Sequence, residues 1–159
     1  MDIRTATDAD FASILNLVNT AFKVERFFKN QDRLTAADLE SYFKSGIFLV
    51  SDDAGRISSC IYVKRNGERA YFGLLSVDPS RQKTGLGRRL VAAAEEFARE
   101  TGARFMDIRV INLRTELPVI YAKMGYRVVG TEPYPQERHH VLTQPVHFIC
   151  MSKELGHRP

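Results

Sequence analysis

The chain has 159 residues, 44% of them hydrophobic and 26% charged, and carries a formal net charge of +4. That length suits one ordinary domain, 1–159, with a core of its own and little room for a second. The densest basic stretch, Arg81, Lys83, Arg88 and Arg89, surrounds a pair of glycines rather than forming a tail. It favours a local anion site over a nucleic-acid face, and nucleic acid is not an expected partner. No apolar run nears the ~20 residues needed to cross a bilayer, so no membrane partner is expected either. Met1-Asp2-Ile3-Arg4 lacks an apolar signal core, and a cytoplasmic protein is expected. Cys60 and Cys150 lie far apart in apolar, strand-like runs. They make neither a disulfide framework nor a metal cluster and read as buried free thiols; no metal is expected.

In chain order, residues 3–6 alternate as a first strand, and Thr7 to Asp10 offers a helix cap. Phe11, Ile14, Leu15, Val18 and Phe22 then recur at helical spacing. After a polar stretch dotted with aromatics, Thr35 caps a second helix through Phe43, ended by Gly46. Residues 47–51, 56–64 and 69–77 read as strands joined by Asp52-Asp53-Ala54-Gly55 and by a turn containing Asn66-Gly67, a strong hairpin signal. Three consecutive antiparallel strands follow from those turns. A glycine loop opens a helix over 85–101, with Leu86, Leu90, Ala93, Ala94 and Phe97 facing inward and Glu95, Glu96 and Arg99 facing water. The next strand, 104–111, is expected to run parallel through a right-handed crossover. A short helix over 117–124 and two strands, 126–130 and 146–152, complete the chain, the strands separated by a polar loop over 131–145. The fold class is α+β: a mixed, mostly antiparallel sheet of six to seven strands with a βαβ unit and about four helices on its faces.

The loop Ser80-Arg81-Gln82-Lys83-Thr84-Gly85-Leu86-Gly87-Arg88 leads from a strand into a helix. Helix N-termini present unpaired N–H groups and the positive end of a dipole, which attract phosphate. Glycines let a diphosphate approach the backbone. A Gly-x-Gly loop by itself is as often a plain turn. This one lacks the Lys-Ser/Thr ending of a triphosphate loop and the third glycine of a dinucleotide fold.

Gln82-Lys83-Thr84-Gly85-Leu86-Gly87 resembles the Gln/Arg-x-x-Gly-x-Gly/Ala signature of the GNAT N-acetyltransferases, and Tyr121-Ala122-Lys123-Met124-Gly125-Tyr126 is similar to that family's Tyr-x-x-x-Gly-Phe/Tyr block. Val77-Asp78-Pro79 matches the usual end of the family's fourth strand, and the likeness covers nearly the whole chain. The resemblance implies acetyl-CoA as co-substrate. It implies that Gln82, Lys83, Thr84, Gly85, Leu86, Gly87 and Arg88 cradle the pyrophosphate, while Leu75, Ser76 and Val77 receive the pantetheine arm as an added strand would. Asn112 is a further cofactor contact by the same resemblance, though it stands nine residues before the tyrosine rather than seven. Tyr121 would protonate the departing thiolate. The glutamate that many members carry on the fourth strand is replaced here by Tyr71, a weak base near neutral pH. Glu68, Glu25, His139 and His140 are the other ionisable groups in view, and the base stays open.

The family builds its acceptor pocket between the first two helices, which puts Phe22, Glu25 and Phe27 there with Tyr71. The loop carrying His139 and His140 is expected across the same cleft. The expected activity is transfer of an acetyl group to a primary amine by direct attack in a ternary complex, since no cysteine lies in either motif. A small-molecule acceptor is favoured. Acetylation of a protein N-terminus or lysine, and a non-catalytic coenzyme A-binding module, are the alternatives. A homodimer is compatible with the sequence and not selected by it.

Overall fold

The computed structural model describes residues 2–156. Strand β1 (Asp2–Thr5) leads into helix α1 (Phe11–Ala21), a 3-10 stretch (Phe22–Phe27) and helix α2 (Ala36–Ser45). Strands β2 (Ile47–Asp53), β3 (Arg56–Asn66) and β4 (Arg69–Val77) form the meander that the two turns announce. Helix α3 (Leu86–Glu100) crosses to β5 (Phe105–Ile111). Helix α4 (Glu116–Lys123), β6 (Arg127–Pro133), a second 3-10 stretch (Gln136–Val141) and β7 (His147–Glu154) follow. The strands make a single seven-stranded sheet in the order β1-β2-β3-β4-β5-β7-β6, and only the β4–β5 pair is parallel.

Strand periodicity distributes the core to two sides. Leu49, Ile61 and Val63 pack with Leu90, Val91, Ala94 and Ala98 of α3, whereas Phe48, Val50, Cys60 and Tyr62 pack with Ile14, Leu17 and Val18 of α1 and with Leu39 of α2. Fully burying one such aliphatic side chain contributes about 1.5–3 kcal/mol. Thr35 caps α2 as expected: its hydroxyl accepts from Asp38 N at 3.1 Å, and the Asp38 carboxylate accepts from Thr35 N at 2.9 Å.

Three details depart from the expectations. Glu95, placed on the wet side of α3, is buried; its carboxylate accepts from the Tyr126 hydroxyl at 2.7 Å and from Lys153 Nζ at 3.0 Å. An amphipathic pattern cannot reveal such a pair, because the partners lie far along the chain. Strand β6 runs to Pro133 although every one of its residues is exposed. Backbone pairing to β7 defines it, not side-chain alternation. Cys60 is buried as expected, but Cys150 is only half-buried, since it lines a groove with Lys64, Arg69 and Glu132.

One irregularity matters most. Between Cys60, which faces Ser76, and Tyr62, which faces Gly73, the β3–β4 register slips by one residue, and Leu74 takes a positive φ of 54°. A bulge of this kind reverses which residues face which side. Phe72 accordingly belongs to the core under α3 and Leu74 to the core under α1.

Candidate functional site

The cofactor end is the loop between β4 and α3. Asp78 anchors its start by accepting from Ser80 N at 2.9 Å and from Ser80 Oγ at 2.7 Å. Those bonds hold its carboxyl below the usual carboxylate range. Arg81 pairs with Asp53, and Thr84 Oγ1 donates to Arg81 O at 2.5 Å, so the loop is tied back to the β2–β3 turn. Gly85 caps α3 with φ +81°, and Lys83 also takes a positive φ of 65°. A Cβ at Gly85 would project into space free of any heavy atom within 4 Å, and one at Gly87 would come no closer than 3.8 Å to Val77. The hollow in front of the first-turn N–H groups is therefore one that side chains would fill and glycines keep open. It fits the diphosphate of a coenzyme A, with Lys83 and Arg88 at its rim.

The strand that precedes this loop, β4, borders a wedge in the sheet. Strands β4 and β5 pair only at Arg69 with Phe105, Ala70 with Met106, and Tyr71 with Asp107. Past Tyr71 the two strands separate, and the bulge at Leu74 turns β4 away. The edge of β4 from Gly73 to Val77 is left facing a gap. A cleft of about 260 Å³ occupies the gap and is lined by Phe72, Gly73, Leu74 and Leu75 of β4 and by Ile108, Val110 and Ile111 of β5.

Tyr121 lies at the C-terminal end of α4 and lines this cleft. Its ring packs edge-on against Phe72 at 5.8 Å and Tyr126 at 6.0 Å, which fixes its direction. Burial pushes its phenol up to about 12, against the opposing pull of Arg114. At neutral pH it is a hydrogen-bond donor. Tyr71 sits across the sheet, its hydroxyl resting where a side chain at residue 73 would stand, 2.6 Å from the position of a Cβ there. Burial pushes this phenol up as well, so it holds its proton at neutral pH and cannot act as a base.

The far end of the cleft is built from two distant segments. Thr143 N donates to Phe28 O at 2.8 Å, Asn30 N donates to Val141 O at 2.9 Å, and Lys29 bridges Leu142 in β fashion. Phe28, Ile111 and Tyr134 form a small core beneath this junction. On the cleft side, buried Glu25 accepts from Lys29 Nζ at 3.1 Å and from Arg114 Nη1 at 3.2 Å. Burial lowers the Lys29 ammonium from its ordinary range; the carboxylate of Glu25 opposes that, and the charges of Arg33 and Arg138 add to it.

Of the residues singled out in the sequence, Phe22, Glu25, Tyr71, Leu75 and Tyr121 line the cleft together. Ser76 points into the core, where its hydroxyl donates to Leu74 O at 3.0 Å. Asn112 accepts from His147 N at 2.9 Å, linking the end of β5 to β7. Phe27 is half-exposed and stands edge-on to Phe28. His139 bonds Tyr134 O at 2.8 Å on an exposed turn, and His140 is exposed beside it; neither lines the cleft, nor does Phe27. Glu68, on the exposed β3–β4 turn, is paired with Arg104 at 3.9 Å. The sequence reading missed Lys29, Arg33, Arg109 and Arg114, and of the loop that it set across the cleft, Tyr134 and Arg138 line it in place of the histidines. The four-residue spacing of Glu25 and Lys29 was the one local signal; the rest converge only through the fold.

The sequence profile of the acetyltransferase (GNAT) domain matches residues 18–150. The mycothiol acetyltransferase of Clavibacter sepedonicus is 33% identical over 129 residues, which cover 77% of this chain and 41% of that protein. The chain thus spans less than half the length of this curated relative. Among solved structures, the ribosomal-protein-S18-alanine N-acetyltransferase from Escherichia coli superposes with a TM-score of 0.79 at 14% identity, covering 99% of this chain and 96% of that one. An aminoglycoside 6'-N-acetyltransferase complexed with coenzyme A superposes with a TM-score of 0.75 at 18% identity, over 100% of this chain and 99% of that one. These likenesses carry the same mixed sheet. With the profile match over residues 18–150, the glycine-lined hollow and the wedge between β4 and β5, the chain belongs to the GNAT acetyltransferase family, an acyltransferase family that uses acetyl-CoA.

Proposed function

We propose that the chain transfers the acetyl group of acetyl-CoA to the primary amine of a small molecule, by direct attack while both substrates are bound. The observation that carries this reading is the wedge between β4 and β5: its cleft brings Tyr121 together with the acceptor-side residues, and Leu75, which lines it, lies 3.9 Å from where a Cβ at Gly87 would stand. Acetyl-CoA supplies an activated acyl group on a thiol leaving group. The amides of residues 82–88 hold its phosphates, and the free edge of β4 from Gly73 to Val77 receives the peptide-like arm. Tyr121 donates a hydrogen bond to the sulfur as charge gathers there. With its phenol near 12, it donates without ionising, and the proton the thiolate keeps is the one the amine gives up.

Among the described residues the cleft offers no free carboxylate base, because Glu25 is engaged by both Lys29 and Arg114. The amine is supplied neutral from solution or loses its proton through water. Small acceptors are favoured because the cleft is only about 260 Å³ and its acceptor end is bordered by the segments that Lys29 and Leu142 bring together.

The test is Tyr121→Phe. Removing the donor is expected to lower kcat about 10²–10³-fold, the range for one hydrogen-bond donor to developing negative charge, with acetyl-CoA affinity by calorimetry within a factor of about two to three. The pH profile of the native protein should show no fall from Tyr121 ionisation between pH 7 and 10. An unchanged kcat in the phenylalanine variant would sink the role of Tyr121. Absence of acetyl transfer to small amines and to peptide N-termini alike would sink the enzyme reading.

A further inference from the structure

Five cationic side chains and one carboxylate line the acceptor end: Lys29, Arg33, Arg109, Arg114 and Arg138 against Glu25. Their partners divide them. Glu25 is consumed by Lys29 and Arg114, and Arg109 reaches Glu132 at 3.4 Å on the other side of the strand. Among the described residues Arg33 and Arg138 have no carboxylate partner. Arg33 lies over the Phe22 ring at 5.6 Å, a stacking that holds the guanidinium plane while leaving its N–H edge free. Both charges are felt inside the cleft, since they help to lower the buried ammonium of Lys29, after burial itself.

The cofactor does not account for this charge. None of residues 82–88 lines the cleft, and the cations at the glycine hollow are Lys83 and Arg88, on a different segment. A second anion is wanted at the acceptor end, and two free guanidinium groups suit a planar, bidentate one.

Resting on the acetyltransferase reading above, we infer that the acceptor is a small primary amine bearing a carboxylate, and that Arg33 and Arg138 receive that carboxylate. The same field answers the missing base. Cations around a bound amine disfavour its ammonium form, as they do for Lys29, so the acceptor reaches its nucleophilic state with less help. A polycationic acceptor meets the opposite effect and is repelled.

The test pairs acceptors that differ only in charge. Thiol release from acetyl-CoA is followed with a panel of free amino acids, their α-carboxamides, and the polyamine spermidine. The best free acid is expected to exceed its carboxamide about 10- to 100-fold in kcat/KM, the range of one or two charge-assisted hydrogen bonds. The advantage should reside in KM and shrink as salt rises. In Arg33→Gln/Arg138→Gln the acid-to-amide ratio should fall to near one, while acetyl-CoA affinity is retained.

A second measurement does not depend on turnover: calorimetric titration of the coenzyme A-loaded protein with glutarate, expected to bind natively and not in the double variant, whose melting temperature is checked alongside. Spermidine or the carboxamides acetylated as well as the acids would overturn the inference and leave the acetyltransferase reading intact. So would glutarate that binds equally to both proteins or to neither. Glutarate bound through the two arginines, with no amine acetylated, would uphold the anion site and overturn the enzyme.

Discussion

Replacing Glu25 by glutamine tests the charge arrangement of the cleft most directly. The Glu25 and Lys29 side chains are each 6% exposed and lie 3.1 Å apart. In the variant, Arg114 keeps Glu116 at 3.2 Å, but Lys29 loses its ion pair and still faces Arg33 and Arg138. Removing one partner of a buried pair costs about 3–5 kcal/mol. The cost has a ceiling, because the folded chain can release the lysine proton instead. From an unfolded pKa of ~10.4 that release costs about 4.6 kcal/mol at pH 7 and about 1.9 kcal/mol at pH 9. The folded pKa of Lys29 lies below the unfolded value, so the unfolded chain holds more protons between the two and stability rises with pH across that window. Glu25→Gln deepens the depression and extends the window downward. Urea unfolding at pH 7 and pH 9, with m held constant, should therefore show a loss of about 3–4.6 kcal/mol that narrows to about 2 kcal/mol or less. A loss below 1 kcal/mol at pH 7, or one equal at both pH values, would refute the reasoning.

Other outcomes follow from the same structure. Gly85→Glu puts a Cβ at φ +81° and a carboxylate in the hollow, so acetyl-CoA affinity should fall at least 100-fold by calorimetry, with the far-UV spectrum unchanged. Native affinity in that variant would remove the cofactor from the loop. Tyr126→Phe deletes the 2.7 Å hydrogen bond to buried Glu95 and should cost about 1.5–3 kcal/mol in urea unfolding, the range for a bond to a charged group. Glu95 keeps Lys153, so a larger loss would mean that the phenol also supports packing.

Much of the frame was legible locally. Asn66-Gly67 and Ala54-Gly55 fix hairpins because both glycines take positive φ, at 66° and 88°, and the meander follows. Helical spacing placed α1, α2 and α3, and the order of elements with the two glycine-bearing blocks carried the family. What stayed hidden shares one cause: it depends on residues distant in sequence. Glu95 is buried because Tyr126 and Lys153 reach it from other elements. Arg33 and Arg138 look like surface charges until Lys29 and Leu142 bring their segments together. The bulge at Leu74 had one local signal, Gly73 inside a strand pattern, but only the register against β3 locates it.

The three rungs between β4 and β5 also make the cleft the mechanical seam of the molecule. On one side lies a meander of local hairpins, quick to assemble; on the other, β5, β7 and β6 depend on a crossover and long loops. The helix α3 core, in which Leu90 meets Met106 and Met151, holds the halves together where the backbone does not. A ligand spanning the seam acts as a staple, adding about 2.7 kcal/mol at a concentration 100 times its Kd. Amide exchange at residues 73–77 should slow in proportion, so that the protein is stiffest when charged with its donor and loosest after its product has left.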